Sequence, residues 1–458
     1  MPIRRILIAN RGEIAARIIR TCRELSIETV LAASAADRDS VPARLADRVV
    51  CIGPPRPGDS YLKAETIVHA ALATRSDAIH PGYGFLSERA ALASLCEAEG
   101  VVFIGPTAAQ IEAVGDKLRA RCEAEAAGVP VVPGGAVGSV EEALALAQKI
   151  GAPLLVKAVG GGGGRGMKLV NRTDDLPAAM ELASTEAGAA FGDARVYLER
   201  FIASGRHVEV QVLGDGQGQV IHLGERDCSV QRRYQKLVEE TPAPFLSDAL
   251  RRSLHDAAIR FSSRLAYRGA GTVEFLVDRE RDTFYFLEMN ARIQVEHPVT
   301  EAVTGVDLVA EQIAIAEGAG LRLAQSDIRL QGCAIECRIN AEDPSMDFRP
   351  SPGLVRDVSW PAGEGIRVDT HIAAGSRIPP FYDSLMAKII AHASDRPSAL
   401  ALLRQAISST RLAGVSTNLS FQAEVLAHEE FQAGGVDTGF VARLLEGRRT
   451  IAEATGNG

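Results

Sequence analysis

The stretch FLEMNARIQVEH, residues 286–297, carries a polar side chain at every second position: Glu288, Asn290, Arg292, Gln294 and Glu296, with Met289, Ala291, Ile293 and Val295 between them. Side chains of an extended chain point alternately to opposite faces, so this spacing predicts acid, amide and guanidinium groups lined along one side. A surface strand wetting its outer face would alternate in the same way. Just upstream, GAGTVEFLVD and TFYFLEMN, joined by RERD, read as a hairpin. If it turns at about 279–282, Glu274 stands nearly opposite Glu288 on the same face, and two facing carboxylates repel. Something positive must sit between them, and Asn290 adds a neutral oxygen. Such an all-oxygen set with few carboxylates suits Mg2+ or Mn2+ held jointly with a nucleotide's phosphates. At about 3.3 Å per residue a straight strand would separate Glu288 from Glu296 by roughly 26 Å, too far for one small site. The strand is therefore expected to end near Asn290, with RIQVEH curling back as a loop.

The chain has 458 residues, 46% hydrophobic and 24% charged, which suits a globular protein of several domains with a sizeable core. A net charge of −8 argues against general affinity for nucleic acid or an anionic membrane, so anionic substrates need local basic pockets. The 7 cysteines are scattered with no CxxC pair, which fits reduced thiols in a cytoplasmic protein. Cys333 and Cys337 sit in an alternating apolar setting and are expected as buried small hydrophobes, not metal ligands. The opening MPIRRILIANRGEIAAR has too short an apolar run for a signal peptide, and no run reaches the length of a membrane span.

RRILIAN reads as a buried strand, GEIAARIIRTCRELS as a helix with Ile14, Ile18, Ile19, Cys22 and Leu25 on one face, and ETVLAAS as a second strand. This βαβ opening resembles a dinucleotide fold, with Asp37 and Asp39 about where a ribose-binding acid falls, yet its first turn holds one glycine where three are needed. A Rossmann-like layer without its cofactor site is expected over residues 1–104, then a helical linker over 105–129. Residues 130–202 read as a small mobile lid: a helix at 140–150, the strand PLLVKAV, a glycine run and the strand KLV. Gly161, Gly163 and Gly166 match GxGxxG only through glycine richness, and Met167 breaks the P-loop pattern. With a strand on either side, the glycines make a hairpin tip that could fold its N–H groups over phosphates, or a plain mobile turn. Residues 203–446 read as a large mixed α/β domain containing the basic loop SVQRRYQKLVEE, with 447–458 as a tail. The fold class expected is α/β.

Lys117 and Lys157, beside the glycines, could bring positive charge to phosphates, although a solitary lysine is more often a solvated surface charge. Arg292, Gln294 and Lys236 make a pocket for a small planar anion, the guanidinium offering a bidentate fork. A carboxylate set against that anion repels it unless it takes a proton, which suggests a general base at Glu296. Arg292 and Glu296 could equally form a structural ion pair.

NRGEIAARI, HPGYGFLSE, GGGGGRGM, GERDCSVQRR, EMNARIQVEHPVTE and ECRINAEDP, in this order, resemble biotin carboxylase, an ATP-grasp enzyme, over residues 3 to about 446. In that family ATP phosphorylates bicarbonate to carboxyphosphate, which delivers its carboxyl group to a ureido nitrogen of biotin. The resemblance implies that Lys117 and Lys157 bind ATP phosphates, that Gly163 and Gly164 belong to the lid, and that Glu199, Arg200, Phe201 and Ile202 contact adenine. It places His207 at the nucleotide as well. Glu274, Glu288 and Asn290 would hold two Mg2+ or Mn2+ ions, with Glu274 and Glu288 also meeting the nucleotide. Lys236, Arg292, Gln294 and the Val295 backbone would cradle bicarbonate, with Glu296 as the base. Arg338 is implied to steady the ureido oxygen of biotin, an electrostatic role for a fixed cation. Where the family reads RRHQK this chain reads RRYQK; Tyr234 can still donate and accept a hydrogen bond near the nucleotide but cannot become cationic.

No biotin-accepting MKM motif is present, so a separate biotin carboxyl carrier protein and separate carboxyltransferase chains are expected partners. The family further implies a homodimer. The whole complex would carboxylate an acyl-CoA, acetyl-CoA being the first expectation. The rivals are an ATP-grasp ligase with another acceptor, an NAD-dependent oxidoreductase, and a non-catalytic nucleotide-binding protein.

Overall fold

The computed structural model describes residues 2–160 and 167–454. A five-stranded parallel sheet opens the chain, in the order Arg48–Cys51, Glu28–Ala33, Arg5–Ile8, Ala78–His80, Val102–Phe103. The run RILI is apolar at successive positions because both faces of its strand are covered. Leu7 packs into one core while Ile6 and Ile8 pack into another with Ile14 and Ile18 of the helix Gly12–Glu24. Ile19 and Cys22 of that helix are buried as expected, but Leu25 is 42% exposed, because the helix stops before it and Leu25 becomes its C-cap.

At the carboxyl end of this sheet, where an open α/β fold ordinarily takes a nucleotide, Asp37 is occupied by the protein itself. Arg11 Nε lies 2.9 Å from Asp37 Oδ2, the Tyr61 hydroxyl donates to the same oxygen at 2.8 Å, and the Arg11 guanidinium stacks over Tyr382.

The small unit around the glycines is a four-stranded antiparallel sheet, Gly134–Ala136, Val196–Arg200, Leu154–Ala158, Met167–Val170. Lys157 pairs with Met167, so a hairpin does lead into the glycine run. Gly163 and Gly164 lie outside the described residues. The helix at Val140–Ile150 is present, and a second, Leu176–Phe191, escaped the sequence reading. Alanines dilute its apolar face, which nevertheless buries Leu176, Met180 and Ala183 in a core separate from the rest.

One continuous eight-stranded sheet is the centre of the remainder: Thr283–Asn290, Arg268–Asp278, Gly205–Asp215, Val220–Arg232, Gln235–Thr241, Cys333–Asn340, Leu385–Ala393, Ile366–Thr370. On one face Val208, Val210, Val212, Val273 and Phe275 meet Leu254, Ala257 and Phe261 of the helix Asp248–Arg264. The opposite face carries the polar members of the same alternation, His207, Glu209, Gln211 and Glu274. The segment SVQRRYQKLVEE, expected as a basic loop, is instead the meeting of two long strands. Only Arg233 and Tyr234, both with positive φ, make the turn, the geometry a two-residue hairpin needs.

All seven cysteines are free, Cys333 and Cys337 being buried. No described helix is long and apolar enough to cross a membrane. Asp37→Ala would strand the Arg11 charge and the Tyr61 hydroxyl in a buried site, at a cost of about 3 kcal/mol. Thermal denaturation is expected to begin at a distinctly lower temperature than in the wild type; an unchanged profile would mean that the pair does not tie this end of the sheet together.

Candidate functional site

The hairpin pairs as its spacing predicts: Glu274 stands opposite Glu288, and Glu209 is the partner of Glu274 on its other side, followed by Arg226. Four strands thus present three acids and one cation in a single row. A bulge makes this possible. Phe275 pairs with Phe286, which leaves Leu287 as the extra residue, so Phe286 faces the core while Glu288 and Asn290 face the polar side. The strand ends at Asn290, and the chain turns through residues 291–296 into the helix His297–Thr304, as the distance argument required.

Protein cations balance the acids. Lys236 Nζ lies 2.6 Å from Glu209, 3.0 Å from Glu274 and 2.6 Å from Glu296. A second bulge, at Leu237, aims it there, since Gln231 pairs with Lys236 but Val230 pairs with Val238. His207 Nε2 lies 3.0 Å from Glu274, and Lys117 Nζ lies 3.3 Å from Glu288. Burial opposes the charge of His207, yet the Glu274 carboxylate outweighs it and raises the imidazole above its usual range.

In the curled segment Arg292 donates to Glu88 Oε2 (2.9 Å), Asn290 Oδ1 (2.7 Å) and Gln294 Oε1 (3.1 Å). Asn290 and Gln294 each donate an amide N–H to Glu274 at 2.9 Å. Glu296 is not the partner of Arg292. Its carboxylate bridges Lys236 and Arg338, whose Nη2 lies 2.9 Å away. Burial works against ionisation of Glu296, but Lys236, then Arg338 and Arg226, hold it well below the usual carboxylate range. It therefore stands as a carboxylate held by these cations. Arg338 Nε donates to Glu239 at 2.6 Å, and the Val295 carbonyl accepts from the buried Lys388 at 2.7 Å.

Lys117 opens the helix Lys117–Ala126, and Lys157 meets Glu199 at 2.6 Å; with side chains 19% and 14% exposed, neither is a solvated surface lysine. Glu199 is buried and also takes Arg121 at 3.3 Å. Ile202 is buried, the backbone N–H groups of Arg200 and Phe201 are spent on Pro133 and Pro153, and the Arg200 side chain turns away to the Ile150 carbonyl. Tyr234 sits at the hairpin apex, 54% exposed. The donor set for divalent ions fits: Glu288 retains solvent access and Glu274 and Asn290 are its neighbours, while the amide oxygen of Asn290 must first release Arg292.

The sequence reading passed over Glu209, Arg226, Glu239 and Glu88. Glu209 was within reach, since HVEVQVLG alternates like the quoted stretch. Glu88 was not, because it meets Arg292 from 204 positions away.

Lys236→Met tests the shared cation. Glu274 and Glu296 are held low, so their contribution to stability is full above their ordinary value of 4.5 and is lost as pH falls through the lowered folded values. The substitution should cost about 3–5 kcal/mol at neutral pH, with the gap in Tm from the wild type closing toward acid. A gap independent of pH would show that charge balance is not its origin.

Known proteins resemble this chain over nearly its whole length. The family description "Biotin carboxylase, N-terminal domain" matches residues 2–111, "Carbamoyl-phosphate synthase L chain, ATP binding domain" residues 116–324, and "Biotin carboxylase C-terminal domain" residues 336–443. Biotin carboxylase 1 of Bacillus subtilis (strain 168) is 50% identical over 96% of this chain and 98% of its own. A pyruvate carboxylase subunit of Methanothermobacter thermautotrophicus is 46% identical, over 97% and 90%. The biotin carboxylase domain dimer of Hydrogenobacter thermophilus 2-oxoglutarate carboxylase, solved with MgADP, ADP and bicarbonate, superposes with a TM-score of 0.93 at 45% identity, covering 97% of this chain and 98% of that one. The match runs through the row of acids, the curled segment and the strand that carries Arg338, and the chain belongs to the biotin carboxylase family of ATP-grasp enzymes, the ATP-using component of biotin-dependent carboxylases.

Proposed function

We propose that this chain carboxylates biotin borne on a separate carrier protein, using ATP and bicarbonate by way of carboxyphosphate. The observation that carries the reading is the buried Glu296 carboxylate, touched on one side by Lys236 and on the other by Arg338, cations that favour its ionised form. Lys236, Arg292, Gln294 and the Val295 backbone receive bicarbonate. Glu296 takes the proton of its hydroxyl group, and a bicarbonate oxygen attacks the terminal phosphorus of ATP as the bond to ADP breaks. Lys117, Lys157 and His207 meet the nucleotide's charge, Glu199 to Ile202 and Tyr234 its remaining contacts, and Gly163 and Gly164 its cover. Glu274, Glu288 and Asn290 would hold two Mg2+ or Mn2+ ions, which when bound would neutralise phosphate charge. Arg338 then faces the ureido oxygen of biotin, where negative charge develops as the nitrogen takes the carboxyl group.

The same reading makes a carrier protein and carboxyltransferase chains its partners, two copies of this chain its working form, and the cytoplasm its place. Support for the assembly comes from relatives named as subunits or domains of larger carboxylases. Acetyl-CoA is the narrower proposal for the final acceptor; pyruvate is its competitor, since one relative is named for it. Transfer to acetyl-CoA and not to pyruvate in the assembled complex decides between them.

ATP cleavage should require bicarbonate and rise with free biotin, and Glu296→Gln should lower the bicarbonate-dependent rate by about 10²-fold or more. ATP turnover indifferent to both additions would overturn the reading.

A further inference from the structure

Two carboxylates behind Arg338 have oxygens without a donor. Glu239 of Gln235–Thr241 and Glu336 of Cys333–Asn340 are direct cross-strand partners, and both are 0% exposed. Alternation puts Glu336 and Arg338 on the same face, with Ile335, Cys337 and Ile339 on the other, in the core. Glu239 Oε1 accepts from Arg338 Nε, but Glu239 Oε2 and both oxygens of Glu336 have no hydrogen-bond partner. Acceptors so deeply buried are costly to leave unsatisfied.

The surrounding cations are already committed. Arg338 is shared between Glu239 and Glu296. Lys388, the partner of Arg338 on the next strand, donates to the Val295 carbonyl and lies 3.2 Å from Glu13 and 4.0 Å from Asp369. Glu336 is thus a surplus acid facing another acid. Two carboxylates at one buried site do not both ionise when one counter-charge serves them. A proton on one supplies the missing donor.

We propose that Glu336 is a neutral carboxylic acid whose proton bridges to Glu239, and that this acid–carboxylate pair is a positioning device that fixes the Arg338 guanidinium between Glu239 and Glu296. The proposal deepens the reading of Arg338 as the biotin-facing cation and rests on it for its kinetic consequence. Burial pushes the Glu336 carboxyl well above its ordinary range; Lys388 pulls the other way and Glu239 adds to the rise. The groups that face it are Glu239, Arg338, Lys388 and, from the start of the helix His297–Thr304, Glu296. Were Glu336 ionised, Arg338 would be drawn toward a doubled negative charge and away from Glu296. With Glu336 neutral, the guanidinium keeps a fork of two single-charged partners, and its position stays fixed as substrates come and go.

Infrared difference spectroscopy of the intact protein reads the proton directly. At about pH 8, well above the ordinary range of a glutamate, the wild type should show a protonated-carboxyl C=O band that Glu336→Gln lacks. The absence of any such difference overturns the proposal whatever the enzyme does. Kinetics reads the positioning. Glu336→Gln retains an N–H donor toward Glu239 and should hold the KM for biotin within about threefold, whereas Glu336→Leu should raise it about tenfold or more. In both, the KM for ATP measured without biotin should stay as in the wild type. A Gln variant as impaired as the Leu variant, or a Leu variant with unchanged KM for biotin, overturns the positioning role. Failure of the proposed function has a different signature, since wild-type ATP cleavage would then not respond to biotin while the infrared band could still be present.

Discussion

Acid crowded onto one face of a β-sheet is the constraint from which the rest of this structure follows. Glu288, Glu274 and Glu209 are neighbours across three consecutive strands, and like charges placed directly opposite one another destabilise a sheet. Four positive groups are arranged around that excess. Arg226, wholly buried, ends the row on Glu209, Lys236 is divided among three carboxylates, and His207 and Lys117 serve Glu274 and Glu288. Within the proposed function Lys117, His207, Lys236, Glu274 and Glu288 are also groups that receive phosphates, metal ions or bicarbonate. Substrate binding is then an exchange of partners among charges that already compensate one another, which spares the protein the cost of stripping water from unpaired ions.

Small departures from regular structure aim the side chains. Were Leu287 a regular strand residue and not a bulge, Glu288 would share the face of Phe286 and point into the core; were Leu237 regular, Lys236 would share the face of Val238 and point away from Glu296. Both bulges lie where a strand reaches the site, the setting in which bulges re-aim side chains. The turn after Asn290 does the rest, bringing Glu296 back over the sheet to the strand that carries Arg338. Lys388 anchors that turn through the Val295 carbonyl.

Much of this was written in local spacing. Period-two alternation put Glu288 and Asn290 on one face, the hairpin brought Glu274 close to Glu288 with a bulge completing the pairing, and chain length alone required the bend after Asn290. The arrangement of Lys236 and Glu296 depends on bulges that alternation does not reveal. Arg292 finds Glu88, and Ser34 meets Tyr382 at 2.6 Å, across separations of 204 and 348 residues, where no spacing rule reaches. Leu25 fitted the helical period but fell past the helix end, and the small residues of Leu176–Phe191 gave too faint an apolar stripe to be read. The roles proposed for Arg338 and His207 came from family resemblance, since neither residue stands out by periodicity.

The most direct test of the central claim is a Mn2+ titration followed by electron paramagnetic resonance, with a non-hydrolysable ATP analogue present. If the acidic row is built to take a divalent ion together with the nucleotide, Glu288→Gln will weaken Mn2+ binding by about tenfold or more relative to the wild type. Equal Mn2+ affinity in the two proteins would contradict the account and leave the row as an ion-pair network with no metal to hold.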